Sequence, residues 1–269
     1  MSQQLESRHA RPVPGRGDGG GERRYLLEPS VRRVRVMLGG ELVADSCRVQ
    51  LLFETGKLPI YYFPQSDVRS DLLTASGRED ADGVKGPTVY FRVTGGKRVA
   101  DDAAWRCAGN PGAGPDLSGL IAFDWKKMDA WYEEDEEVFV HARDPYHRID
   151  VLESSRRVQV SVGGVEVADS RRPMMLFETG LPARYYLPKL DVRLALLESS
   201  DAHSACPYKG TASYFHLRTD GQLAENIAWC YENPIPEALK IAGRICFFDE
   251  RVDVEVDGVM QVRPITKWS

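Results

Sequence analysis

In Arg157-Val158-Gln159-Val160-Ser161-Val162-Gly163-Gly164-Val165-Glu166-Val167-Ala168-Asp169-Ser170, valine alternates with polar or small residues on both sides of a Gly-Gly pair. Period-two alternation puts one set of side chains on a buried face and the other in water, and two adjacent glycines supply the positive φ angles of a tight hairpin turn. The stretch therefore predicts two antiparallel strands. It also occurs twice. Arg33-Val34-Arg35-Val36, Gly39-Gly40 and Ala44-Asp45-Ser46 stand 124 residues earlier, as does Leu52-Phe53-Glu54-Thr55-Gly56 ahead of Leu176-Phe177-Glu178-Thr179-Gly180. Over 33–56 and 157–180, 15 of 24 positions are identical, which decides for duplication over coincidence.

The repeat runs on through Tyr61-Tyr62, Pro64, Asp67-Val68-Arg69, Lys85-Gly86, Tyr90-Phe91 and Ala104-Trp105. It slips by one residue near Asn110-Pro111 and recovers at Gly119 and Gly243. A period this long means two copies of a whole domain. The predicted division is a disordered tail over 1–24, a first repeat over 25–142, a linker over 143–152 and a second repeat over 153–269. Further hairpins are expected at Val252–Val259 around Asp257-Gly258 and after Tyr214-Phe215-His216-Leu217 around Asp220-Gly221. Helix is expected only as short turns, one capped by Asp67 or Asp191 and one at Pro236–Leu239. Both repeats are thus all-β.

The 269 residues carry 35 basic and 40 acidic side chains, a net charge of −5, which gives no general reason to expect nucleic acid as a partner. No apolar run approaches the ~18 residues of a membrane span. The N-terminus is polar and Arg-containing, without the apolar segment of a secretory signal, so a cytoplasmic, reducing location is expected, with Cys47, Cys107, Cys206, Cys230 and Cys246 as free thiols. Close cysteine pairs for a structural zinc are missing. Gly15, Gly17 and Gly20 spell G-x-G-x-x-G, but no apolar strand precedes them and no helix follows, so the dinucleotide-loop reading fails.

Cys206-Pro207-Tyr208-Lys209-Gly210-Thr211, then Tyr214 and Trp229, and then Phe247-Phe248-Asp249-Glu250-Arg251-Val252-Asp253 resemble the domain of unknown function 427 family in its tandem form. Arg143-Asp144-Pro145-Tyr146-His147-Arg148-Ile149-Asp150-Val151-Leu152 and Leu176–Tyr186 are similar to it too. The resemblance covers about residues 25–265. It implies a β-tent-like domain, two antiparallel sheets meeting at an angle, related to the methionine sulfoxide reductase B group. The family's label of nucleotidyltransferase would imply Mg²⁺-dependent nucleotide chemistry, for which the chain shows no phosphate-binding loop.

The two copies differ where chemistry could sit. Cys206, Tyr208, Arg184 and His216 of the second are Asp82, Val84, Ile60 and Arg92 in the first, whereas Glu178, Tyr185, Tyr186, Lys209, Tyr214 and Trp229 match Glu54, Tyr61, Tyr62, Lys85, Tyr90 and Trp105. A working site is therefore expected in the second repeat. Cys206 with Lys209 three residues on is the catalytic candidate, since a nearby ammonium lowers a thiol pKa, with His203 or His216 as its base. The other reading of Cys206 is a small filler at a Pro-Tyr turn. Arg184, Tyr185, Tyr186, Tyr208, Tyr214, Trp229 and Glu178 are the ligand-binding candidates, a cationic and aromatic set suited to a small anionic or polar molecule. Glu178 is expected to pair with Arg184 or Lys209. Glu133–Glu137 lacks the alternation and glycine bend of an oxygen-ligand loop and reads as a solvated turn. Four functions follow: small-molecule binding by a monomer, a thiol enzyme, a nucleotidyltransferase, or an interaction platform. No cofactor is specified.

Overall fold

Valine-rich alternation becomes paired strands throughout a computed structural model that describes residues 24–82, 85–108, 114–219 and 222–269. The glycine-rich motif in the tail, Val84, Asn110-Pro111 and the Asp220-Gly221 turn lie outside the described residues. The chain divides into two units that part between Tyr146 and His147.

In the first unit the strands are β1 (Tyr25–Pro29), β2 (Val34–Leu38), β3 (Glu41–Ser46), β4 (Gln50–Glu54), β5 (Ile60–Pro64), β6 (Leu73–Asp82), β7 (Gly86–Gly95), β8 (Arg98–Cys107), β9 (Leu120–Phe123), β10 (Ala130–Glu133) and β11 (Glu136–Glu137). They form a sheet in the order β1-β4-β5-β9-β8-β7-β6 and a smaller one in the order β11-β10-β2-β3, with every pairing antiparallel. The second unit repeats this with β12 (Ile149–Glu153), β13 (Val158–Val162), β14 (Val165–Ser170), β15 (Met174–Glu178), β16 (Arg184–Tyr186), β17 (Leu197–Cys206), β18 (Gly210–Thr219), β19 (Gln222–Cys230), β20 (Ile245–Phe247), β21 (Asp253–Val256) and β22 (Val259–Met260). Its small sheet runs β14-β13-β21-β22. The larger one is β12-β15-β16 joined to β20-β19-β18-β17 through the Leu187–Ile245 bridge, whose two backbone hydrogen bonds are 2.7 and 2.9 Å. Ile149–Leu152, read from the sequence as linker, belong to β12, because β12 is the counterpart of β1 and pairs with β15 as β1 pairs with β4.

Alternation on β2 buries Val34, Val36 and Leu38 against Leu51, Phe63, Val93 and Ile121 of the large sheet. Val158, Val160, Val254 and Val256 meet Leu217, Ile227, Ile245 and Phe247 in the same way in the second unit. The other face of each large sheet holds a second cluster, and in the second unit it contains Leu176, Tyr186, Trp229, Tyr231 and Cys246, with Ala238 and Ile241 from a 3₁₀ turn at Pro236–Ile241. Tyr185 and Tyr186 point to opposite faces, as a strand requires, and Tyr186 is the fully buried one.

The helical turns are short 3₁₀ segments, and Asp67 and Asp191 do not cap them. Each aspartate ends its turn instead of preceding it, so its carboxylate reaches sideways to the sheet. Asp191 accepts from Ser170 Oγ at 2.7 Å and Arg172 at 3.0 Å, and Asp67 from Ser46 Oγ at 2.6 Å and Arg48 at 2.5 Å. Asp45 and Asp169 brace the hairpins across the strand through Arg33 and Arg157. The acidic run 133–137 is only partly solvated: Glu133 is buried, bonded to Arg32 and the Tyr61 hydroxyl, while Asp135 is exposed and meets Arg35 at 2.8 Å.

Gly163 and Gly164 turn with φ of 56° and 81°, the mirror-image geometry that hairpins favour. Gly39 does the same work at φ 59°, but a Cβ there would lie 1.8 Å from the Gly95 carbonyl oxygen, whereas one on Gly163 would meet open space. Gly163→Ala is therefore expected to cost about 1–2 kcal/mol, the left-handed backbone term alone. Gly39→Ala adds a backbone clash and should cost roughly twice that or more. Urea unfolding of the two variants checks this, and equal losses would contradict it.

Candidate functional site

The Cys206–Gly210 segment closes the β17–β18 hairpin, with Lys209 N donating to the Cys206 carbonyl at 3.3 Å and Gly210 at φ 100°. Gly210 is fixed by close approach as well, since a Cβ would lie 3.2 Å from the Asn233 carbonyl oxygen. This turn sends the Lys209 ammonium to Glu178 and lays the Tyr208 ring on His147, centroids 4.1 Å apart. His147 Nε2 lies 2.9 Å from the other Glu178 oxygen. Glu178, Lys209 and His147 have side chains only 7, 10 and 6% exposed. Burial pushes the Glu178 carboxyl up, yet His147 and Lys209 together hold it below the ordinary carboxylate value. The first repeat has the same core, Lys85 on Glu54 at 2.7 Å, with Lys57 at 2.6 Å.

Lys209 is thus engaged by Glu178, and the Cys206 thiol makes no hydrogen bond to a described residue. His203 lies three positions before Cys206 on β17, so strand alternation turns the two to opposite faces. His216 lies six positions along β18 from Gly210, about 20 Å at strand rise, and accepts from Asn226 N at 3.1 Å.

Arg184 is in a separate cluster. Its guanidinium makes two parallel hydrogen bonds to Glu250, at 2.9 and 2.6 Å, and stands 3.7 Å from Asp249. The Trp229 and Trp268 rings lie 5.6 and 5.7 Å from it, within cation–π range. Glu250 also accepts from Thr266 Oγ1 at 2.6 Å. The remaining aromatic candidates form a connected packing group: Trp229 Nε1 donates to Tyr186 Oη at 3.1 Å, and Phe248 packs between Trp229 and Tyr214. Glu178 therefore takes the Lys209 partner of its two expected options, and Arg184 takes Glu250.

Beside the Arg184 cluster a cleft of about 130 Å³ is lined by Pro182, Ala183, Tyr185, Asp249, Val252, Val254, Gln261, Val262 and Pro264. Of the residues anticipated from sequence, Tyr185 alone lines it, with Arg184 behind Asp249. Asp249 is 9% exposed, and no other side chain among the described residues donates a hydrogen bond to it. Burial pushes its carboxyl up to about 7, against the opposing pull of Arg184. Burial, with Asp249 nearby, also raises the Tyr185 hydroxyl, which has no hydrogen-bond partner among the described residues.

The first repeat fills the same place with its own side chains. Asp124 N bonds to Ala103 O and Phe248 N to Ile227 O, which makes Trp125 the counterpart of Asp249. Strand pairing then shows a second slip: Trp131 pairs with Val36 and Val254 with Val160, so Trp131 matches Val254, one residue off the 124 spacing. Trp125 and Trp131 stack at 4.4 Å with planes 5° apart, and both pack on Tyr61, the counterpart of Tyr185. Asp249 and Glu250 were legible as departures from Trp125-Lys126, but only by comparing the copies at those positions. Thr266 and Trp268 carried no sequence signal.

Two outcomes test these assignments. Glu178→Gln leaves the Lys209 ammonium buried without its counter-charge and should cost about 3 kcal/mol or more at neutral pH. Because the folded carboxyl titrates below 4.5, that advantage is full above the ordinary value and is lost as pH falls through the lower folded one, so the gap between wild type and variant in urea midpoints should narrow in acid. Asp249 has the opposite sign. Its folded pKa is above its unfolded one, so its contribution is full below about pH 4 and is lost as pH rises through about 7. Asp249→Asn should gain on wild type in melting temperature between pH 5 and pH 8, and a constant difference would contradict the assignment.

No curated protein matches the chain. The family model described as Domain of unknown function (DUF427) matches it twice, over residues 26–134 and 150–258, once in each of the two units. Among the described residues no helix is long and apolar enough to cross a membrane, and no group of three His, Cys, Asp or Glu side chains is arranged to hold a metal. The chain belongs to the DUF427 family and carries the domain in two tandem copies.

Proposed function

We propose that the second repeat is a small-molecule-binding domain whose site is the cleft between Tyr185, Asp249 and the Gln261–Pro264 segment, and that the first repeat is its self-filled counterpart. The observation that carries this is the exchange of Trp125 and Trp131 for Asp249 and Val254 on the same scaffold. Two large rings leave and a cleft lined by Asp249 and Tyr185 takes their place. A ligand with a donor of its own adds to the single ion pair that Asp249 makes with Arg184.

The size of the cleft limits what enters. Typical ligand pockets run to roughly 300–1,000 Å³, and a water's share of liquid is about 30 Å³. About 130 Å³ suits a single ring or a short chain. A polar ligand is favoured over an anionic one because both cations of the sequence-derived set, Arg184 and Lys209, already hold carboxylates of the chain.

The test is a ligand-observed NMR screen of a mixed fragment library on the full chain, repeated on Val254→Trp, which restores the residue of the first repeat. Fragments that bind the wild type should lose at least tenfold in affinity in Val254→Trp. A library without a binder, or binders indifferent to that substitution, would overturn the proposal.

A further inference from the structure

Resting on that reading, we infer that the ligand of the second repeat is a planar ring bearing a cationic N–H donor group, with the ring against Tyr185 and the N–H groups on the Asp249 carboxylate. The shape argument comes from the first repeat. There the equivalent space accepts stacked indoles beside Tyr61, so the scaffold at this place is built around flat rings. Pro182, Val252, Val254, Val262 and Pro264 give the cleft apolar side chains on which a ring can pack.

The charge argument is independent of shape. The Arg184 cluster holds one guanidinium and two carboxyls, and Glu250 takes both parallel hydrogen bonds of the guanidinium. Asp249 keeps the 3.7 Å approach to Arg184 Nη1 and a bond from its own backbone N–H, and no side chain among the described residues hydrogen-bonds it. The groups facing it are Arg184 and Tyr185 from β16, Cys246 from β20, and Glu250 beside it. The nearby Arg156 is bound to Asp257 at 2.7 Å. No lysine or arginine lines the cleft. An entering anion would meet the Asp249 carboxyl with its cation already held by Glu250, whereas an amidinium or ring N–H cation completes the count and meets an acceptor that no side chain among the described residues hydrogen-bonds. A planar amidinium matches a carboxylate through two parallel hydrogen bonds, as a guanidinium does.

Binding of such a cation selects ionised Asp249 and releases a proton, so affinity should rise with pH across the titration of that carboxyl. Benzamidine is the probe: planar, as many heavy atoms as an indole, and charged throughout pH 6–8. Isothermal titration of the full chain should show benzamidine binding, tighter at pH 8 than at pH 6 by up to about tenfold, the change in ionised fraction across a pKa near 7. Benzamide, benzoate and acetamidine should each bind at least tenfold more weakly, and Asp249→Asn should remove the pH dependence. Benzoate or benzamide equal to benzamidine overturns the cationic assignment, and acetamidine equal to it overturns the ring. Either result, with binding still lost in Val254→Trp, leaves the cleft as the site. No fragment sensitive to Val254→Trp at all overturns the underlying reading as well.

Discussion

Arg184 is a guanidinium in a nearly dry place, and much of the second repeat is arranged to keep it there. Burying a lone charge costs several kcal/mol, so β16 can carry an arginine inward only if a carboxylate is brought to it. Glu250 does this from the turn after β20, with Thr266 on one of its oxygens and the Trp229 and Trp268 rings near the cation. One guanidinium neutralises one carboxylate. The second acid in the cluster, Asp249, is then left in a low-dielectric setting with a partner already committed, and its carboxyl shifts towards the neutral form. The unusual group at the cleft follows from the pairing behind it.

The same constraint explains why the two repeats differ as sets. The counterparts of Arg184, Asp249 and Glu250 are Ile60, Trp125 and Lys126. Removing the arginine alone would strand two buried carboxylates, and removing them alone would strand the arginine. All three are exchanged together: Ile60 is half-buried, Trp125 joins an aromatic stack, and Lys126 lies exposed. The Glu54–Lys85 and Glu178–Lys209 pairs show the reverse pattern, retained in both copies together with their place in the fold.

What could be read from the residues alone follows the range of the forces involved. Hairpins are local, so the Gly163-Gly164 turn and the Asp257-Gly258 turn were legible from a few residues, and the 124-residue spacing made the tandem all-β architecture legible from the whole chain. Partners across 66 residues, as for Arg184 and Glu250, leave no local trace. Lys209 and Cys206 are close in sequence, yet the turn sends the ammonium to Glu178, 31 residues away. Position in the chain suggested a thiol–ammonium pair, and the hydrogen bond that the ammonium makes goes to Glu178. The slip beyond Met128 and Val252 was hidden because one residue fewer before β21 changes no composition; only strand pairing exposes it.

That slip has a consequence for the cleft itself. In a strand, a shift by one residue turns every side chain to the other face. Counted at a constant 124, Trp131 would match Glu255, which faces away from the core, and the loss of the indole would look like a surface change. Counted by pairing, Trp131 matches Val254, an inward position next to Val160, and Trp125 matches Asp249 beside it. Two large rings, Trp131 buried and Trp125 half-buried, have therefore been exchanged for a valine and an aspartate that line one cleft, while Tyr185 keeps the place of Tyr61. A packed interior does not tolerate that loss of volume without collapse or an occupant. The exchange leaves a cleft lined by Val254, Asp249 and Tyr185 and bordered by the Gln261–Pro264 segment, whose Val262 is 93% exposed.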